Sequence, residues 1–266
     1  LKKLYDRFSL KDKAAIVTGG AGFLAKIHIR ALLEKEAKVI LIDKNLKSLK
    51  KVFNLFGNNK NLNIYKGDIT NLKSLKKINN SIIKKHKKID ILINNAANDF
   101  KIDKKIKIKQ KKIINIKNWK KDLEVSLTGS LNCIIVFSKS MLKKKSGVIL
   151  NISSDLSIIG PDQRLYSHLK ILKPVSYSVT KHGLIGMTKY FATLWSDKGI
   201  RVNALSPGAI ENNQDIAFKN KIKKIIPMKR MGKVQEIKEI VQFLCSDASS
   251  YMTGQNVVLD GGRSIW

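Results

Sequence analysis

Tyr177 and Lys181 stand four apart in the run Val175-Ser-Tyr-Ser-Val-Thr-Lys181. On a helix that spacing puts a phenol and an ammonium one turn apart on the same face. An unperturbed phenol titrates near pH ~10 and is a poor proton donor or acceptor at neutral pH. A cation beside it favours the phenolate and makes the pair usable as a general acid and base. Tyr and Lys four apart are common on helices, so the pair gains its meaning from a second motif near the N-terminus.

That motif is Ala14-Ala-Ile-Val-Thr-Gly-Gly-Ala-Gly-Phe-Leu-Ala25, an apolar run that ends in glycines and passes into a helical pattern (Leu24, Ile27, Ala31, Leu32). Gly20-x-Gly22-x-x-Ala25 fits the Gly-x-Gly-x-x-Gly/Ala fingerprint of dinucleotide binding between a strand and a helix. Glycines there permit the tight turn and let a pyrophosphate approach the backbone, with its charge on the helix N-terminus. A second apolar run, Lys38-Val-Ile-Leu-Ile-Asp43, ends in an acid, about 20 residues on, where a ribose hydroxyl partner belongs.

With these residues in place, the chain resembles the short-chain dehydrogenases/reductases in their compact single-domain form, from about Phe8 to the C-terminus. The family's markers follow in order: Thr18-Gly19-Gly20-Ala21-Gly22, Asp43, Gly67-Asp68-Ile69, Asn94-Asn95-Ala96-Ala97, Asn151-Ile-Ser-Ser154, Tyr177-x-x-x-Lys181, Arg201-Val-Asn-Ala-Leu-Ser-Pro-Gly208 and Asp260-Gly-Gly262. The resemblance implies that Tyr177 exchanges a proton with a substrate oxygen, and that Lys181 lowers its pKa and bonds the nicotinamide ribose. It implies that Ser154, rather than Ser153, holds the substrate oxygen. Gly19, Gly20, Gly22, Phe23 and Leu24 would cradle the pyrophosphate, Asp68 and Ile69 the adenine. Asn95, Ala96 and Ala97 would line the ribose side, and Pro207, Gly208 and Ile210 the nicotinamide. Asp43 favours NAD, because a carboxylate accepts from a ribose 2′-hydroxyl and repels a 2′-phosphate. Lys44 and Lys47 keep NADP possible. No metal site is expected.

Three departures stand out. Phe23 occupies a position where compact members often carry glycine. Ser126, in Val125-Ser-Leu-Thr-Gly129, stands where the family has an asparagine counted as a fourth catalytic member. Ala209-Ile-Glu-Asn-Asn213 lacks the frequent threonine, leaving the carboxamide contact unassigned.

At 266 residues the chain is long enough for one well-buried α/β domain. Strand patterns at 14–18, 38–43, 62–66, 89–94, 147–152, 200–205 and 256–259 alternate with helical patterns at about 23–36, 45–56, 71–87, 118–144, 175–198 and 233–247. Such alternation predicts a doubly wound (Rossmann) seven-stranded parallel sheet with helices on both faces, as a single domain over 1–266. Every marker falls at a strand's carboxyl end, where the ligand crevice of such a sheet lies.

Two insertions break the rhythm: a lysine-rich loop at about 98–118, and about 160–174, which widens the gap from Ser154 to Tyr177 to 23 residues. The second starts beside the serine and returns just before the tyrosine, so it must lie near the active-site mouth. Its Gln163, Arg164, Tyr166 and His168 are candidate substrate contacts. The segment at about 209–227 resembles the family's substrate lid.

The formal charge of +32 comes mostly from lysines spread over the whole chain. Nucleic-acid binding is not expected from it, since the densest run, Lys101 to Lys121, lacks interleaved aromatics. A basic field would instead draw in acidic or phosphorylated small molecules. No signal peptide opens the chain, no apolar run reaches the ~20 residues that span a bilayer, and Cys133 and Cys245 read as buried thiols of a reducing cytoplasm. Leu123, Leu127, Leu131 and Ile135, with Leu184, Met187, Phe191 and Leu194, could face a partner subunit in a homodimer or homotetramer, or simply the core.

The activity implied is interconversion of a secondary alcohol and a ketone. The insertion and the ending Asp-Gly-Gly-Arg-Ser-Ile-Trp266 resemble a bacterial branch found near surface-sugar genes, which points to a sugar, a sugar acid or a sugar derivative. Alternatives are a 3-oxoacyl-(acyl-carrier-protein) reductase, whose acidic carrier would suit a basic surface, and a non-catalytic basic binding protein on the same fold.

Overall fold

The computed structural model describes residues 6–98, 115–169 and 172–266. Seven strands, β1 (Ala14–Thr18), β2 (Lys38–Asp43), β3 (Leu62–Lys66), β4 (Ile91–Asn94), β5 (Gly147–Ile152), β6 (Ile200–Pro207) and β7 (Asn256–Leu259), form one sheet in the order 3-2-1-4-5-6-7. All pairings are parallel. The strand order reverses between β1 and β4, which opens a ligand crevice at their carboxyl ends.

Alternate residues of each strand feed separate cores. Ala15, Val17 and Leu41 pack on one face, while Ala14, Ile16, Ile40 and Ile42 pack on the other. Burial on both faces explains why these strands read as unbroken apolar runs. Around them lie α1 (Phe23–Leu33), α2 (Leu46–Leu55), α3 (Leu72–His86), α4 (Ile116–Leu123), α5 (Gly129–Lys144), α6 (Val175–Trp195), α7 (Ile216–Lys224) and α8 (Val234–Cys245).

The structure adds features that the periodicity did not predict. The segment at 209–227 contains α7, capped by Asp215, whose carboxylate accepts from Phe218 N at 2.8 Å. The second insertion carries a 3-10 helix, Gln163–Leu169. Residues 99–114 of the first insertion lie outside the described residues, and Ile116–Asn118, expected in that loop, already begin α4. A π turn, Glu124–Thr128, joins α4 to α5. The resulting continuous helix, Ile116–Lys144, passes by length and composition as a membrane span, against the expectation from sequence. Half of its most apolar window is nonetheless buried inside this molecule, and Cys133, Ile134 and Phe137 sit in the core. Leu184 and Phe191, weighed as partner-facing residues, are buried within the chain, whereas Ile135 and Leu194 are exposed.

One core residue conflicts with its surroundings. His28 on α1 is fully buried, and neither ring nitrogen has a well-formed hydrogen bond among the described residues. Burial pushes its pKa down to about 4, against a partial offset from Asn95. The folded state therefore binds this proton less readily than the unfolded chain, whose histidine titrates near pH ~6.5. Stability is full above that value and falls as pH drops toward 4, by up to about 3 kcal/mol from this group. Urea unfolding of wild type and His28→Leu at pH 7.5 and 5 should show the acid loss in wild type and much less in the variant. Equal acid losses would refute it.

Candidate active site

The glycine turn after β1 is held open by its own backbone. Gly19 has φ +63°, and a Cβ there would lie 2.7 Å from Ala96 Cα. A Cβ on Gly20 would lie 2.7 Å from that of Leu41. Thr18 fastens this turn to the end of β4: its Oγ1 accepts from Asn95 N and Ala96 N, both at 3.1 Å, and Asn95 Nδ2 donates to Thr18 O at 3.0 Å. Asp43, at the end of β2, accepts from Ala21 N at 3.2 Å and so borders the same turn.

This cradle fits a dinucleotide. Helices α2, α3, α4 and α7 begin with Asn45, Asn71, Asn115 and Asp215, whose side chains accept first-turn N–H groups. Helix α1 begins at Gly22 with no side-chain cap. Its first-turn N–H groups are left to an outside acceptor, and a pyrophosphate matches them in charge and reach. Phe23 opens α1, followed by Leu24. Asp68 is exposed just beyond β3, and its Oδ1 accepts from Thr70 N and Oγ1; Ile69 beside it is buried. Ala97 is exposed beyond β4. Pro207 ends β6, Gly208 N donates to Leu259 O at 2.9 Å, and Ile210 pairs with Gly232.

The ends of β5 and α6 bring together the residues expected to react, Ser154, Tyr177 and Lys181. Lys181 is buried and its Nζ donates to Ile152 O at 2.9 Å, with Nζ 5.6 Å from the centroid of the Tyr177 ring. Ser153 Oγ donates to Lys181 O at 2.9 Å, so the first serine anchors α6. The second serine is differently placed. Ser154 Oγ donates to Asp155 Oδ1 at 2.8 Å and accepts from Leu156 N at 3.2 Å. Asn94 Nδ2 donates to Asn151 Oδ1, and Asn151 Nδ2 donates to Thr188 Oγ1, both at 2.9 Å, which ties β4, β5 and α6 into one frame. Ser126 is buried in the π turn, and its carbonyl accepts from Ser130 Oγ at 2.8 Å.

The family model described as Enoyl-(Acyl carrier protein) reductase matches residues 24–264. The chain is a short-chain dehydrogenase/reductase. It is 32% identical over 267 residues to the 3-oxoacyl-(acyl-carrier-protein) reductase FabG of Thermotoga maritima, covering 96% of this chain and 99% of that protein. It is 31% identical over 263 residues to the NAD-dependent glycerol dehydrogenase of Listeria innocua, covering 97% and 96%. A short chain dehydrogenase from Leptospira borgpetersenii, solved with bound NAD+, superposes with a TM-score of 0.82 at 31% identity, covering 100% of this chain and 97% of that one. As a member of this family the chain is a nicotinamide-dependent oxidoreductase acting on CH–OH and keto groups.

Within this dehydrogenase fold the insertion is bound to the helix Ile216–Lys224. Lys221 Nζ on α7 donates to Ser167 Oγ at 2.8 Å, His168 Nε2 lies 3.0 Å from Asp215 Oδ1, and the Tyr166 and Phe218 rings are 5.8 Å apart. The candidate substrate contacts are engaged as follows. Gln163 spends its amide on the insertion's own backbone at Lys173. Arg164 pairs with Asp162 and is 88% exposed. Tyr166 packs under the lid, where burial pushes its phenol up. Gln163 and Arg164 thus each hold a partner within the insertion.

Several site residues escape a reading of the sequence. Arg263 Nη1 donates to Asp155 Oδ2 at 2.7 Å, forming an ion pair in which the side chains are only 8% and 4% exposed. Asp122 on α4 is buried; it accepts from Asn98 Nδ2 at 2.7 Å and from Ser176 Oγ, beside Tyr177. Lys173 places Nζ 3.7 Å from the Tyr177 ring centroid. The one available signal was chemical: Asp155 directly follows Ser154 and needs a partner if buried.

Proposed function

We propose that this enzyme interconverts a secondary alcohol and a ketone on a small hydroxylated substrate, a sugar, sugar acid or sugar derivative, with anionic forms accepted. The observation that carries this reading is the polar surround of the reacting centre: Asp155 and Arg263 lie behind Ser154, and Lys173 covers the Tyr177 ring. Such groups recognise hydroxyls and carboxylates, whereas an acyl chain asks for an apolar lining. The second reading, a 3-oxoacyl-(acyl-carrier-protein) reductase, is supported by the T. maritima relative and by the charge of +32, which suits an acidic carrier.

In the oxidative direction Tyr177 takes the hydroxyl proton of the substrate, and in reduction it returns one to the carbonyl oxygen. Lys181, fixed by Ile152 O, favours the ionised phenol by its charge. Ser154 meets the same oxygen and orients it. Gly19 to Leu24, Asp43, Asp68 and Asn95 would hold the rest of the dinucleotide and Pro207 to Ile210 its nicotinamide, which when bound would supply or accept the hydride. Ser126, buried in the π turn, stands in place of the family's asparagine. Homo-oligomeric assembly through Ile135 and Leu194 and a cytoplasmic location, supported by the buried free thiols of Cys133 and Cys245, belong to the same reading.

NAD(H) is the preferred cofactor in this proposal. Fluorescence titration with NADH and NADPH tests it on wild type and Asp43→Ala. A lost hydrogen bond to a carboxylate is worth about 1.5–3 kcal/mol, so NADH should bind roughly tenfold or more weakly to the variant while NADPH does not weaken. Unchanged NADH affinity would remove Asp43 from the site. Turnover of glycerol, galactitol and gluconate against an acetoacetyl-carrier-protein thioester then separates the two substrate readings.

A further inference from the structure

The insertion ends in an arrangement that substrate coverage alone does not require. Gln163 Nε2 donates to Lys173 O at 3.2 Å, and Lys173 N donates to Gln163 Oε1 at 2.8 Å. This two-point amide clamp closes the insertion on itself. The next residue, Pro174, starts α6 in extended geometry, with φ −63° and ψ 143°. A residue before proline is itself biased to extended backbone, so Lys173 is held from both sides. From that fixed point its side chain crosses the face of Tyr177, with Nζ 3.7 Å from the centroid, nearer than Lys181 Nζ at 5.6 Å. The Gln163–Leu169 turn is in turn held to α7 through Lys221, His168 and Tyr166.

We propose that Lys173 is a second cation acting on the catalytic phenol: the insertion exists in part to deliver it, and it biases Tyr177 toward the phenolate through the ring face. This rests on the reading of Tyr177 as the acid/base. The physics is differential. An ammonium over an aromatic face is attracted to the ring's negative quadrupole, and it is attracted more strongly once the ring carries the phenolate charge, so it stabilises the ionised form over the neutral one. Lys181 and Lys173 thus both bring an ammonium to the same ring, at 5.6 and 3.7 Å from its centroid. Among the described residues, the acids on the elements packed here have these partners. Asp122 on α4 accepts from Ser176 and Asn98, and Asp155 after β5 pairs with Arg263. On the insertion, His168 is turned to Asp215 on the lid. Lys173 acts through Tyr177, so it is a positioning charge rather than a catalytic residue. Because its seat is part of the insertion–lid unit, Tyr177 ionises most readily when that unit is in place.

The direct test needs no substrate. Tyrosinate absorbance is followed from pH 6 to 11 for wild type, Lys173→Met, Lys173→Arg and Tyr177→Phe, and the Tyr177→Phe curve is subtracted to isolate residue 177. The half-ionisation point should rise by about one pH unit in Lys173→Met, a tenfold change in the ionisation constant, and Lys173→Arg should keep most of the wild-type value because a guanidinium also stacks on the ring. Oxidation of galactitol or gluconate should show its rising pH limb displaced by the same amount, with NADH affinity unchanged. Coincident wild-type and Lys173→Met titrations would overturn the proposal. If Tyr177→Phe meanwhile loses turnover, the acid/base reading survives that failure. If Tyr177→Phe turns over normally, the reading beneath the proposal falls instead. Should Lys173→Met lose NADH binding through misfolding, Gln163→Ala decides: it keeps the charge but releases the clamp, and only an upward displacement supports the proposal.

Discussion

Replacing Tyr177 with phenylalanine lowers turnover by about 10³-fold and leaves NADH affinity within about threefold of wild type. The magnitude follows from the role. Positioned proton transfer contributes about 10² to 10⁴ in rate, and Phe removes only the oxygen that carries the proton. The ring volume is retained, and Lys173 still has an aromatic face to cover. Lys181 keeps its bond to Ile152 O, and Ser153 still ties its carbonyl to β5. The frame that seats the cofactor therefore survives, because it is built from Thr18, Asn95 and the Asn94–Asn151–Thr188 chain rather than from the phenol. The loss should fall on kcat, not on KM, since the missing interaction is one made at the transition state. Single-turnover rates with a saturating polyol or sugar acid, beside a fluorescence titration with NADH, give both numbers. A variant that keeps more than about a tenth of wild-type turnover would show that the proton travels by another route.

How far this site could be read in advance depended on whether its parts are local in the chain. The turn from Thr18 to Gly22, the acid at Asp43 and the Tyr177–Lys181 pair each lie within one short segment, where spacing alone dictates geometry. The strands were legible because burial on both faces leaves an unbroken apolar run, as in Ile40 to Ile42, all fully buried. What could not be read is long-range pairing. Arg263 meets Asp155 across 108 positions, and no local pattern links a residue near the C-terminus to one beside Ser154. The same holds for Lys173 over Tyr177: the spacing of four is not helical there, because Pro174 interrupts the backbone and the contact comes from a folded-back insertion. Helix α7 was a different kind of miss. Its capping Asp215 and the pair Phe218 and Ile222, four apart and facing the same small core, were visible, but a run rich in lysine hid the period. The π turn at Ser126 has no comparable sequence signal.

The second large effect concerns that long-range pair. Arg263→Met should destabilise the protein by about 3–5 kcal/mol, because it strands a buried carboxylate without its cation. Asp155 is only 4% exposed. At about 2–4 °C per kcal/mol for a chain of this size, the melting temperature should fall on the order of 10 °C. The damage also reaches the chemistry, since Asp155 Oδ1 accepts the Ser154 hydroxyl while Oδ2 is held by Arg263. Freed from the guanidinium, the carboxylate can rotate or take up a proton, and Ser154 then loses its fixed orientation. Turnover should drop about tenfold even well below the new melting point, where the protein is still folded. The double variant Asp155→Asn/Arg263→Met separates the two consequences. It removes both charges, so most of the lost stability should return, as it does when buried pairs are neutralised together. Its turnover should stay low, because an amide held by nothing positions Ser154 no better than a loose carboxylate. Thermal unfolding of wild type and the three variants (the two singles and the double) supplies the coupling energy. A stability loss under about 1 kcal/mol in Arg263→Met would mean that water already reaches the pair.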